Sequence, residues 1–403
     1  MEPLSLSLPG QPWSVVAPSA AGPLYVLCTK VKELPNRRTL LAIDLAGNVL
    51  WQRELEGDPN GHWSQKSYTK HLRVSESGTV FLIDGDVLLG FDASGETQVA
   101  IRLDHDQDEA PGPFALVREG FCTTWTTLPG RHRDVRVDVR DGSGTCMWST
   151  RIPTEPLGYR GPPGLEDDFA PFKPTMPHEF SPSYWDPLLV SGDRILAGFD
   201  DVSTGLSLSY LLDRDSGGLV ATTPVSGGKH KAIAGLGEFL AGDRGFGLLG
   251  TARYDASRAE VVRWDSDGPL LVGPDGAIRS VESGNPEGAR RFRKLNADGS
   301  TDDGPALSRS HFGSPALDSA GTVVFTQDGA LRAIDAELHE RVLCEIPDER
   351  DLYGRIVLLE DGLVAFTVGH GLFLAETDLG PLPSSGWVCS DGNLRANPVL
   401  ESP

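Results

Sequence analysis

The chain has 403 residues, with 47 glycines, 30 prolines and 3 methionines, and its 57 acidic against 36 basic side chains leave a formal charge of -21 at pH 7. That balance excludes a phosphate-tracking nucleic-acid surface, which needs clustered lysine and arginine. A composition of 39% hydrophobic and 23% charged residues is globular, and its glycine and proline content favours short strands and turns over helices.

The first segment, 1–22, lacks the basic region, apolar core and small-residue cleavage site of a secretory signal. No stretch approaches the roughly 20 apolar residues of a membrane helix, so a cytoplasmic protein with no membrane partner is expected. Within that segment Leu4-Ser5-Leu6-Ser7-Leu8 alternates like an outer strand. A hairpin over Trp13 to Leu27 then leads to the clearest repeat, Thr39 to Leu55, in which an apolar strand ends in Asp44, turns at Gly47 and resumes with a strand carrying Trp51. After a decorated loop, 58–71, the same two hairpins return as Leu72 to Phe81 and Val87 to Glu96.

The pattern continues at Phe114 to Trp125 and Val135 to Trp148, and after the long segment 154–187 at Leu188 to Phe199 and Leu208 to Val220. Ala232 to Leu240 opens a fifth unit, Leu270 to Leu307 is the most degenerate, and Ser314 to Phe325 with Ala330 to Ile346 is again clear. Ile356 to Phe366 and Leu372 to Leu379 form the last pair, and Trp387-Val388-Cys389 competes with Leu4 to Leu8 for the strand that completes it. Each unit is four short strands with Ser/Asp-x-Gly turns, repeated about every 50 residues. A four-stranded sheet cannot bury both faces alone, so the repeat predicts an all-β, eight-bladed β-propeller of antiparallel blades, with seven blades as the fallback count. The whole chain, 1–403, reads as one propeller domain with an insertion at 154–187 over one face.

The set Asp44, Gly47 and Trp51, with partial matches at Asp92 with Gly95 and at Asp335, resembles the repeat of the PQQ-like β-propeller superfamily, whose members include quinoprotein dehydrogenases and a subunit of the outer-membrane protein assembly machine. The segment from Gly386 and Trp387 through Asp391, Asn393 and Arg395 is similar to the closing segment of some bacterial members. The resemblance implies fold and not activity. Its enzymes carry PQQ with calcium, are typically exported, and in alcohol-oxidising members use an adjacent cysteine pair; the five scattered cysteines here, Cys28, Cys122, Cys146, Cys344 and Cys389, include no such pair. PQQ is therefore not expected, and the thiols are expected to be reduced.

In such a fold the loops leading into each first strand and those between second and third strands gather on one funnel-like face. His62, His71, His105, His178, His230 and His311 map to the former and His132 and His370 to the latter, so eight of nine histidines share that face. Loops attract polar residues anyway, but imidazole is the usual near-neutral proton carrier and metal ligand. The catalytic candidates are therefore His62, His71, His178, His230, His311 and His370. The aromatic residues Trp63, Tyr68, Tyr184 and Trp185, together with His105, make the ligand-binding candidates. Segment 154–187 also holds Glu166, Asp167, Asp168 and Glu179, and the acidic loop Leu103 to Glu109 leaves room for a divalent cation without the spacing of an EF-hand. Arg290, Arg291, Arg293 and Lys294 form one basic cluster, expected on a solvated edge strand.

No nucleophile elbow, phosphate loop, zinc helix or dinucleotide fingerprint occurs in a fitting context. The expected function is a non-catalytic propeller that binds a protein partner or small ligand through its funnel-face loops. The alternative is a lyase, cyclase or hydrolase using funnel histidines as general acid and base, with or without a bound cation.

Overall fold

The computed structural model describes residues 3–30, 38–55, 72–106, 109–127, 135–152, 180–182, 188–201, 206–220, 230–242, 250–266, 268–282, 291–307, 314–346 and 353–401. Its recurring element is the turn begun by an aspartate. Asp44 accepts the amides of Ala46 at 3.0 Å and Asn48 at 2.7 Å on one carboxylate oxygen, while the Gly47 amide donates to its carbonyl at 3.0 Å. The turn closes only if its fourth residue takes a left-handed conformation, and Gly47 does so at φ 89°. Asp92 with Gly95 and Asp141 with Gly144 repeat the arrangement. Arg258 and Leu338 stand at the equivalent position with φ of 73° and 71°, so these two blades keep the turn against a steric cost of about 1–2 kcal/mol each.

Strands flanking these turns pair antiparallel into the eight sheets of a β-propeller, the fourth of which also takes one parallel strand, Val399–Leu400. Blade 1 is Gln11–Val16, Leu24–Thr29, Arg38–Ile43 and Val49–Leu55; blade 2 is Arg73–Val74, Val80–Asp84, Val87–Phe91 and Thr97–Arg102. Blade 3 is Glu109–Val117, Gly120–Thr127, Val135–Asp141 and Cys146–Ile152. In blade 4 the first strand is split into Phe180–Pro182 and Leu189–Ser191, both paired with Arg194–Asp201, which also pairs with Leu206–Asp213. Among the described residues its outer strand is represented by one bridge between Leu212 and Leu219. Blade 5 comprises His230–Gly235, Glu238–Gly242, Thr251–Tyr254 and Glu260–Trp264. Blade 6 comprises Leu270–Val272, Ile278–Val281, Arg291–Leu295 and Thr301–Ala306, and blade 7 Ala316–Leu317, Val323–Gln327, Ala330–Ile334 and Glu340–Glu345. Blade 8 takes Tyr353–Leu358, Leu363–Val368 and Gly371–Glu376 from the end of the chain and Leu4–Ser7 from its start.

The count is thus eight and not seven. Leu4–Ser7 fills the outer slot of blade 8, whereas Trp387 exchanges backbone hydrogen bonds with Val272 at 2.8 Å and Cys389 bridges Ala316, both on first strands. Of the basic cluster, Arg290 lies outside the described residues, while Arg291, Arg293 and Lys294 differ from expectation in lying on the third strand of blade 6 and not on an edge. There Arg293 pairs with Glu282 and Asp303, each at 3.1 Å, and Arg291, two residues before it on the same face, approaches Asp303 at 3.6 Å.

The described chain packs as two compact units, one of residues 1–102, 269–296 and 300–397, the other of 103–268, 297–299 and 398–403. In the first, the blades bury both faces of their inner strands: Leu41, Ile43, Val15 and Val26 pack with Val357, Leu372 and Leu374, while Val324, Phe325, Ile356 and Phe366 pack with Val388 and Cys389. In the second, Val135, Val137 and Val139 of blade 3 meet Val190, Ile195, Ala197 and Tyr210 of blade 4. Outer strands alternate instead, Val49–Leu55 and Cys146–Ile152 exposing every other residue. Among the described residues no helix is long and apolar enough to cross a membrane.

Candidate functional site

Of the residues singled out in the sequence, His62, Trp63, Tyr68, His71, His132, His178, Tyr184, Trp185 and His311 lie outside the described residues, as does segment 154–187 except for 180–182. The other three are on separate elements. His230 is not in a loop but is the first residue of blade 5, paired with Gly242. His370 is exposed in the second-to-third-strand turn of blade 8, where its carbonyl accepts the Leu8 amide at 3.0 Å. His105 precedes blade 3 and stacks on Trp125 with ring centroids 5.4 Å apart.

Beneath His105 lies a buried charged cluster that the sequence did not announce. Strand alternation sends Val135, Val137 and Val139 into the core and turns Arg136, Asp138 and Arg140 to the other face. Arg136 forms a two-bond fork with Glu109 at 2.7 and 2.8 Å, contacts Asp138, and lies 4.5 Å from the centroid of the Trp125 ring. Arg140 reaches Asp138 at 3.0 Å and the Asp104 carbonyl at 2.8 Å. Burial alone raises the Glu109 pKa, but the hydrogen bonds and charge of Arg136 outweigh it and hold the carboxyl below its ordinary value. The acidic loop before blade 3 therefore spends Glu109 on arginine, and Asp106 faces Arg151 at 3.5 Å. Among the described residues no group of three or more His, Cys, Asp or Glu side chains is placed to hold a metal.

In the first unit the segment 386–396 runs past the first strands of five blades. It bonds Val272, Leu317, Ala17 and Val74 through backbone, and Arg355 of blade 8 gathers its centre. All five guanidinium N–H groups of Arg355 have acceptors: the carbonyls of Ser390, Val15, Leu394 and Asn393 and the thiol of Cys389. This site is closed. Arg355 is a positioning residue for the tail.

An open cleft occurs in the second unit. Its volume is about 440 Å³, and it lies at the first-to-second-strand turns of blades 3, 4 and 5, the blade ends opposite the loops in which the histidines were expected. Two short turns build it. Gly192 and Gly237 adopt φ of 59° and 73°, and the Ser191 hydroxyl joins the turns by donating to the Gly235 carbonyl and accepting the Gly237 amide, both at 2.8 Å. Arg194 adds a bond to the Ala256 carbonyl at 2.8 Å. Leu236, 55% exposed, stands in the depression. Around it Arg214 pairs with Glu119 at 2.5 Å and Glu401 at 2.6 Å, and Arg194 pairs with Asp193 at 2.9 Å. The segment 398–401 reaches this place by parallel pairing of Val399–Leu400 with Leu189–Ser191. An apolar centre in a charged rim has the anatomy of a protein-binding surface.

No family model and no curated protein matches the chain. Solved β-propellers are similar to it at low identity. Catalytically inactive virginiamycin B lyase of Staphylococcus aureus with quinupristin is 12% identical, over 93% of this chain and 99% of that one, with a TM-score of 0.48. The Pan2 WD40 domain of Neurospora crassa is 9% identical over 94% and 96%, with a TM-score of 0.47, and a gluconolactonase of Xanthomonas campestris is 13% identical over 94% and 90%, at 0.36. None of these similarities carries an activity or a partner over to this chain.

Proposed function

We propose that the chain is a non-catalytic, cytoplasmic, PQQ-like propeller, one domain in function, that binds a protein partner through its surface turns. The PQQ-like assignment is supported by the Asp-x-x-Gly turns and by the tryptophans Trp51 and Trp148, each of which donates its indole N–H to a carbonyl of the following blade. The observation that carries the binding function is the cleft around Leu236: a large apolar side chain held exposed at 55% by two hydrogen-bonded glycine turns, inside a rim of ion pairs. The surface proposed here lies at the blade ends opposite the funnel-face loops.

Affinity purification with quantitative mass spectrometry tests it. Leu236→Asp, a change at an exposed position, is expected to reduce recovery of the partner at least tenfold with the fold intact. Partners that survive Leu236→Asp but vanish on deletion of 154–187 would return binding to the loops, and recovery no better than a control bait would defeat the binding function.

A further inference from the structure

Resting on that function, we infer that the cleft takes a basic segment of the partner, with an apolar residue against Leu236 flanked by lysine or arginine. The charges of the cleft sit at different depths. The side chains of Glu119 and Asp193 are 57% and 63% exposed, while their arginine partners Arg214 and Arg194 are 14% and 19% exposed. The guanidinium groups of Arg194 and Arg214 thus lie below the carboxylates of Glu119 and Asp193, and the lining holds three acids, Glu119, Asp193 and Glu401, against two arginines, Arg214 and the exposed Arg118. Glu401 adds a further carboxylate to Arg214, so two acids share one cation. A half-buried cation is screened by the pairs above it and by the protein around it, so an approaching chain meets carboxylate first. The formal charge of -21 acts in the same direction at longer range. Small residues, Gly192, Gly237 and Ala256, line the cleft beside Leu236, and a Cβ on Gly192 would crowd the Leu236 side chain at 3.3 Å.

Fluorescence anisotropy on the whole protein with three labelled peptides of equal length tests this, each with a central leucine and with lysine and arginine, glutamate and aspartate, or serine and glycine on either side. The basic peptide is expected to bind at least tenfold more tightly than the other two, and to weaken as salt rises from 50 to about 200 mM in the manner of exposed charge pairs. Glu119→Gln with Asp193→Asn uncovers the two arginines and is expected to lower basic-peptide affinity about tenfold. Leu236→Asp is expected to abolish the leucine contribution. Equal binding of all three peptides, preference for the acidic one, or no binding of the basic one overturns the inference. If that happens while partner capture still depends on Leu236, the protein-binding function stands and only the basic-segment chemistry falls. If capture is also lost, both fall.

Discussion

Trp51 donates its indole N–H to the carbonyl of Ala93 in the next blade at 2.9 Å and lies over the turn of Gly95, where an added Cβ would stand 2.7 Å from the indole. The contact recurs one pair of blades later, with Trp148 bonded to the Arg214 carbonyl at 2.6 Å and seated against Gly217. Glycine is needed at position 95 twice over, because its φ is 82° and because the ring leaves no room. Gly95→Ala is expected to destabilise the protein by about 2–4 kcal/mol, the sum of left-handed strain and overpacking. In a Trp51→Ala background only the strain remains, so the cost of Gly95→Ala is expected to fall to about 1–2 kcal/mol. Denaturant unfolding of the four proteins in the cycle checks both values.

Part of this fold was legible in the residues and part was not, for a physical reason. Asp44, Gly47 and Trp51 announce the turn because its chemistry is local: a carboxylate capping amides two and four residues on, and a glycine where φ must be positive. The alternation of Leu4 to Leu8 likewise placed the outer strand of blade 8. The cluster at Arg136 and Asp138 hides in an ordinary alternating strand, since nothing in its spacing says that the second face is buried. The cleft is harder still. Ser191, Gly235 and Gly237 are unremarkable in sequence, and only their meeting across two blades makes a site. The histidines drew attention by residue type, and of the described ones His230 and His370 are set by strand pairing and turn placement.

Arg355 provides the next prediction. Its five donors are spent on neutral acceptors, four of them within 389–394. Arg355→Ala removes all five bonds at once, leaving the carbonyls of Leu394 and Asn393 with only the amides of Ala17 and Ala396, and is expected to cost about 3 kcal/mol or more. Lysine offers three donors on a point charge instead of a planar fork, so Arg355→Lys is expected to recover less than half of the loss. Limited proteolysis with chymotrypsin checks the position of the effect: cleavage after Trp387 or Leu394 should appear in the variants before any cleavage in blades 3 to 5.

Thiol chemistry separates the cysteines. Burial pushes the Cys28 and Cys122 thiols up to about 12 and also raises Cys344 and Cys389, while Cys146 is exposed on the outer strand of blade 3. The Cys146 pKa is itself raised, first by partial desolvation and then by the charge of Asp138, so its thiolate fraction at neutral pH is small. Reaction with a chromogenic disulfide is expected to titrate one thiol slowly in the native protein, faster as pH rises toward 9, and five after unfolding. Cys146→Ser should abolish the native reaction and leave stability within about 0.5 kcal/mol of the parent.

Acid sensitivity follows from the turn aspartates. Hydrogen bonds hold Asp44, Asp92, Asp141, Asp213, Asp255 and Asp335 below their ordinary value of 3.8, chiefly the Asn48 side chain for Asp44, the Ser94 hydroxyl for Asp92 and the His339 amide for Asp335. A carboxyl whose folded pKa lies below its unfolded one stabilises the fold fully above the unfolded value and loses that contribution as pH falls through the folded value. The thermal midpoint is therefore expected to be nearly level from pH 7 to about 5 and to drop steeply below about 4. Asparagine keeps an oxygen for the same turn amides but has no proton to take up. Asp44→Asn, Asp92→Asn, Asp141→Asn and Asp255→Asn combined should retain the propeller at pH 7 and flatten the acid limb of the curve. An unchanged acid limb in that variant would place the acid transition on the arginine-paired carboxyls Glu109 and Asp378, which are also lowered.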